Sequence, residues 1–260
     1  MNNINAIVIA KNSEDKLLEC LNSIDWVDEI IIVDTGSTDN TISIAEKKGC
    51  KVYRFNGGGY SQWRNEGLRR AGGRWVFYVD TDERISQKLA KEVRSVVGLT
   101  NNNYTAYAIP RTNIIFGKVL KHGGWWPDYV KRLFIRDKLN RWTGKLHEEP
   151  QFDGELGFLE NPIIHKKHDN LEEMVVKTND WSAIEAKLLN DAGHPKMVGW
   201  RFFRIMLTEL WYRLVYQRGC LDGPQGILYA FYQMWSRFIS YAKLWEMQTS
   251  KAGDLRISED

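Results

Sequence analysis

The stretch V76-F-Y-V-D-T-D-E-R84 sets four strand-forming residues, Val76, Phe77, Tyr78 and Val79, directly before three acids, Asp80, Asp82 and Glu83. Such a run predicts a buried strand that ends in crowded negative charge. Like charges that close repel, so a cation, a hydroxyl-rich ligand or open solvent must make the crowding tolerable. Working outward, Ile4 to Ala10, Glu29 to Val33 and Lys51 to Phe55 also read as strands. Glu14 to Ile24, Thr41 to Lys48 and Tyr60 to Arg70 read as the helices between them. The alternation implies parallel strands joined by right-handed crossovers. Ligands of such sheets sit beyond the carboxyl ends of the strands, where Asn12, Asp34 and Asp80 fall.

Beyond Val97 the pattern loosens. Tyr104 to Pro110 and Ile114 to Leu120 predict short strands in a hairpin-like excursion, and from Leu171 the chain reads as helical with a break at Gly219 to Pro224. The expected division is an α/β catalytic domain over 1–170 and a helical extension over 171–260. The 260 residues carry 36 Lys and Arg against 33 Asp and Glu, and a formal charge of +3 does not argue for a nucleic-acid partner. Cys20, Cys50 and Cys220 lack metal-type spacing and read as free thiols of a reducing compartment, the cytoplasm. The start reads as having no secretory leader, and no run approaches the ~20 apolar residues of a membrane span.

Four features carry candidate chemistry. An extended chain would point Asp80 and Asp82 to the same side, where they could share Mg2+ or Mn2+, or instead pair with Arg84, Arg74 or Lys88. Asp34 ends a different strand on the same rim. Capping explains Ser37 to Asp39, whereas Asp34 precedes that turn and could accept hydrogen bonds from a base or ribose. In W142-T-G-K-L-H-E-E149 an imidazole, His147, sits beside two carboxylates, with a general base and a surface ion-pair loop both open as readings. His165 and His168 read as structural, spaced for a helix face. In the tail, Gln233, Ser236, Arg237, Ser240 and Lys243 form a polar stripe on an apolar, aromatic helix. Its Trp, Tyr and Arg content fits an interfacial membrane site as well as packing on the core.

The segments A6-I-V-I-A-K-N-S-E14, I30-I-I-V-D-T-G-S-T-D-N-T41, W63-R-N-E-G-L-R-R-A-G-G-R-W75 and V79-D-T-D-E83 together resemble glycosyltransferase family 2, which has the GT-A fold. R132-L-F-I-R136, the Trp142 to Glu148 block, R218-G-C-L-D-G-P-Q-G226 and Y241-A-K-L-W-E246 resemble its bacterial lipopolysaccharide core β-glucosyltransferase branch. The resemblance implies an inverting, metal-dependent hexosyltransferase that uses a nucleotide-diphosphate sugar, UDP-glucose, and a lipid-linked glycan acceptor at the inner face of the cytoplasmic membrane. It implies Asp34, Glu14, Arg64 and Asp80 as nucleotide-binding, Asp82 as holding Mg2+ or Mn2+, and Glu148 as the base. His147, by its residue type in the Trp142 to Glu149 block rather than by the resemblance, is a candidate metal or phosphate contact beside Asp82. Ser13 stands where the family has Glu directly after Asn. The rival readings are a nucleotidyltransferase, which wants a Gly-rich phosphate loop that A10-K-N-S-E14 is not, a glycosidase with two flanking carboxylates, and a noncatalytic membrane-surface module.

Overall fold

The run that leads into the acids is buried at every position from Trp75 to Val79, and its neighbours explain why. In the computed structural model, which describes residues 3–99, 102–144, 148–168 and 170–253, the chain begins β1 (Ile4–Ala10), α1 (Glu14–Ser23), β2 (Glu29–Asp34), α2 (Thr41–Lys47), β3 (Lys51–Arg54), α3 (Tyr60–Arg70), β4 (Trp75–Tyr78), β5 (Glu83–Ile85) and α4 (Gln87–Gly98). It continues through β6 (Tyr104–Ile115), β7 (Lys118–Val119), β8 (Tyr129–Ile135), β9 (Leu139–Thr143), β10 (Glu149–Phe152), β11 (Glu155–Phe158) and β12 (Ile163–His168). The helices α5 (Leu171–Asp191), α6 (Gly199–Trp211) and α7 (Gly223–Gly253) follow.

Strands β3, β2, β1 and β4 lie side by side in that order and are parallel, as the strand and helix alternation requires. β8 then joins β4 antiparallel, and β6 joins β8 antiparallel. Side chains alternate between the two faces. Ile4, Ala6, Val8, Trp75 and Phe77 enter one apolar cluster, with Leu17, Leu21 and Ile24 of the α1 region, while Ile7, Ile31, Val76 and Tyr78 enter another. Both faces are therefore core, which is why these strands read as continuous apolar runs rather than alternating ones. Gly67 of α3 marks how closely that helix approaches: a Cβ there would stand 2.3 Å from Cγ2 of Ile7.

The chain forms two compact units, one of residues 1–113 and 127–167, the other of 114–126 and 168–260. In the second, the end of β6 turns back into β7 through Phe116 and Gly117, both at positive φ, as two-residue hairpins require. β6 itself runs unbroken through Pro110, where two short strands were expected, because Arg111 N–H donates to Asp128 O just beyond the residue that has no donor. Ile115, Leu120, Trp125, Met174 and Tyr229 form one buried cluster of this unit, and Ala186, Met197 and Leu244 another. The predicted polar stripe of α7 faces α5: Arg237 and Ser240 bond to Glu185, and Lys243 to Asn179. It is a seam between two helices, because hydroxyl and cationic groups find fixed acceptors there.

Candidate active site

The strand β4 stops at Tyr78, and the acids after it lie on a turn in which Glu83 N–H donates to Asp80 O at 2.9 Å. Asp80 and Asp82 consequently do not follow strand alternation, and each carboxylate finds its own partners. Asp80 accepts from Arg64 Nη2 at 3.2 Å and from Arg132 Nη2. Arg132, brought by β8, also donates to Glu83 Oε1 at 2.7 Å, and Glu83 Oε2 accepts the Asp80 N–H at 3.0 Å. Glu83 has no solvent-accessible surface, so its charge is tolerable only because Arg132 and, at 3.7 Å, Arg111 flank it. Burial acts to raise the pKa of Asp80, but the Arg132 and Arg64 guanidinium groups outweigh it and hold the carboxyl well below the usual range. A third of the Asp80 side chain nevertheless stays open to solvent. Burial likewise opposes the Arg132 charge, and Asp80 and Glu83 more than reverse it. The Nε–H of Arg132 is buried without an acceptor among the described residues.

Arg64 reaches this cluster from the second turn of α3. Its guanidinium lies 4.8 Å from the ring centroid of Trp142 and 5.5 Å from that of Tyr78, and Tyr78 Oη donates to the Arg64 carbonyl. From this platform Arg64 Nε donates to Glu148 Oε1 at 3.1 Å. One guanidinium thus orients both Asp80 and Glu148. The phenol of Tyr60 is pushed up by partial burial and then by the negative charge of Asp80, Glu148 and Asp82, so the three carboxylates act on a common region.

Asp82 faces β12. Its Oδ2 lies 3.4 Å from Nε2 of His165, whose Nδ1 lies 2.6 Å from Asn113 Oδ1. His165 and His168 therefore sit on a strand rather than a helix, three positions apart and both buried. An H-K-K-H run with Ile163 and Ile164 before it pairs with β5, and that pairing decides its conformation. At Asp34 the side chain is buried and accepts from the N–H groups of Gly36 and Ser37 at 3.2 Å, so the turn after β2 fixes the orientation of this carboxylate. Because β1 alone separates β2 from β4, Asp34 and Asp80 stand about 10 Å apart across the rim by strand spacing. Glu14 Oε2 accepts from N and Nδ2 of Asn40, and Asn12 Oδ1 accepts from Thr38 N–H. These bonds tie the end of β1 to the loop after β2.

His147 lies outside the described residues. Among those described, no group of three or more His, Cys, Asp or Glu side chains is gathered to hold a metal ion. Asp82 and His165 do offer one carboxylate oxygen and one imidazole nitrogen at adjacent positions, a donor pair that suits Mn2+ when substrate oxygens and water complete the shell. Sequence reasoning assigned no role to Arg132, Arg111, Glu83 or Asn113. The signal available for Arg132 was a basic residue directly before the apolar run Leu133 to Ile135.

Residues 6–150 match the family model described as glycosyl transferase family 2. A Rickettsia felis protein described as an uncharacterized glycosyltransferase is 27% identical over 263 residues, 95% of this chain and 90% of its own. The lipopolysaccharide core biosynthesis glycosyltransferase LpsC of Rhizobium meliloti is 26% identical over 269 residues, 96% of this chain and 94% of its own. Among solved structures, residues 1–349 of Staphylococcus aureus TarS superpose with a TM-score of 0.48 at 15% identity, covering 97% of this chain and 92% of that one. By the match over 6–150, the chain belongs to glycosyltransferase family 2.

Proposed function

We propose that this protein is an inverting hexosyltransferase that moves a sugar, glucose from UDP-glucose, from a nucleoside-diphosphate donor to a hydroxyl of a lipid-linked glycan such as lipopolysaccharide inner core. The observation that carries the reading is the pairing of Arg64 with both Asp80 and Glu148 at the carboxyl end of the parallel strands. It sets a donor-side acid and a candidate base on one rigid cation. The name of the Rhizobium meliloti relative supports the acceptor class.

In this reading Asp34 and Asp80 hold the nucleoside, with Glu14 and Asn12 shaping the loop beside it. Asp82 and His165 hold a divalent cation, Mg2+ or Mn2+, which when bound takes up charge on the leaving diphosphate. Glu148 accepts the proton of the acceptor hydroxyl as that oxygen attacks the anomeric carbon from the face opposite the diphosphate, so the configuration inverts. Arg64 orients Glu148 for this, and the Trp142 ring, its centroid 4.8 Å from the guanidinium, supports Arg64 from one side. The buried Nε–H of Arg132 is a further donor that an anionic oxygen could satisfy.

An acceptor of this kind resides in a membrane, and the second unit has a surface suited to one. Trp200, Phe203, Leu207, Trp211 and Val215 recur at steps of three and four along α6 and the π-helical turn after it, and all are exposed, Phe203 at 71%. The exposed charge among them is Arg204, with Arg201 half-buried beside it and Arg218 exposed just beyond the turn, while Glu209 pairs with Arg213. Aromatic rings interleaved with arginines complement an anionic lipid interface. No described helix is long and apolar enough to cross a membrane; in this reading α6 lies in the interfacial plane, and the face it meets is the cytoplasmic one, where a nucleotide-sugar donor is available.

Calorimetric titration with UDP-, GDP- and dTDP-sugars, with and without Mn2+, tests the reading. UDP-glucose should bind in a Mn2+-dependent manner, and Asp82→Ala should abolish that dependence. Binding indifferent to both metal and Asp82, or no nucleotide binding at all, would overturn it.

A further inference from the structure

The ring of His165 stands between two partners, and a residue one step further back decides which of its nitrogens carries the proton. Asn113, fully buried on β6, donates from Nδ2 to Asp128 Oδ2 at 2.9 Å. The same Asp128 oxygen accepts from Arg111 Nε at 3.0 Å and Nη2 at 2.8 Å. A carboxylate held by a guanidinium accepts and does not donate. The Asn113 amide must therefore turn its NH2 toward Asp128 and its oxygen toward His165. That oxygen also only accepts, so the 2.6 Å bond to Nδ1 is made by an Nδ1–H. In the neutral ring the remaining nitrogen, Nε2, presents a lone pair to Asp82 Oδ2 at 3.4 Å. Two acceptors that close repel, and a cation between them reverses the sign of the interaction.

We propose that Asn113 is a positioning residue that locks His165 in its Nδ1–H tautomer, so that Nε2 and Asp82 together face the donor-bound divalent cation. The proposal rests on the reading of Asp82 and His165 as the protein's ligands to that cation. It extends it to the residues behind them. Arg111 links the device to the rest of the rim, since it lies 3.7 Å from Glu83 as well as binding Asp128. The turn from Asp80 to Glu83 is thereby braced at both ends by one chain of partners, Glu83, Arg111, Asp128, Asn113, His165 and Asp82. Such support of a ligand histidine changes metal affinity by about 10–100-fold in general.

The tautomer can be read without metal, from long-range 15N–1H correlations of the whole protein, with the His165 signals assigned by their loss in His165→Gln. The wild-type ring should show a protonated Nδ1 and an unprotonated Nε2. Asn113→Leu, similar in size but neither donor nor acceptor, should release that tautomer and weaken binding of Mn2+ in the presence of UDP, followed by electron paramagnetic resonance, by about tenfold or more. Asp128→Asn is a second route should the buried Leu prevent folding. An amide at 128 lets Asn113 turn over, so a protonated Nε2 should appear and Mn2+ affinity should fall. A wild-type ring protonated at Nε2, or variants that bind Mn2+ within twofold of wild type, would overturn the proposal. Failure of the transferase reading shows separately, as absence of UDP-sugar and Mn2+ binding by the wild type, and it would take this proposal with it.

Discussion

At the carboxyl end of β4, Asp80, Glu83, Arg64 and Arg132 are held by direct charged hydrogen bonds, whereas along α6 Trp200, Phe203 and Leu207 project outward, with no α6 residue fully buried. The two regions obey different rules. Buried charges require partners at fixed distances and angles, so folding leaves the rim preorganised before any ligand arrives. Apolar side chains need only removal from water, in no particular geometry, so α6 can meet a deformable surface such as a lipid interface. In the proposed function the first region is the machinery for chemistry and the second the place of attachment.

The comparison breaks most readily at Arg132. Arg132→Met would leave Glu83 buried beside Arg111 alone and remove one of the two cations on Asp80. A loss of about 3–5 kcal/mol is expected, a drop in Tm on the order of 10 °C. Adding Glu83→Gln should recover part of it, because the uncompensated charge is then gone. A Tm within 2 °C of wild type for the single variant would show that the rim is not a buried charge network.

Acid should sharpen the contrast. The folded-state carboxyl of Asp80 is held below its unfolded value of about 3.9. Its contribution to stability is present above that pH and is lost as pH falls through and below it. The Tm gap between wild type and Asp80→Asn should therefore narrow from pH 7 to pH 3. A gap that stays constant or widens on acidification would contradict the assigned ion pairs.

The smallest effect on stability is expected from Phe203→Ser with Leu207→Ser. Tm should move little, by the ~0.5 kcal/mol typical of surface changes, and UDP-sugar binding should match wild type. Cosedimentation with anionic phosphatidylglycerol vesicles should fall about tenfold. Unchanged cosedimentation would remove the membrane role of α6, and a shift in solution mass on the same substitutions would assign its face to a second copy of the chain.

Legibility in the sequence followed contact range. Tyr60 to Arg70 has the same bounds in sequence and structure, because helix periodicity is local. Asp34 and Asp80 were visible as acids at strand ends, since the apolar runs before them announce where the strands stop. Arg132 was not visible as the partner of Asp80, for it lies 52 residues beyond it and meets it only because β8 inserts antiparallel beside β4. Arg64 and Glu148, 84 residues apart, are joined in the same non-local way.

By itself the sequence determined the parallel half of the sheet, the crossover helices and the crowding of acids at its rim, since apolar runs, helical periodicity and turn residues act within a few positions of themselves. Only the tertiary structure decided which way those acids face. The i, i+2 alternation expected of Asp80 and Asp82 gave way to a turn closed from Glu83 N–H to Asp80 O, and buried charge then drew Arg64, Arg132 and His165 from distant elements. Polar groups removed from water must be matched, and the match is a property of the whole sheet.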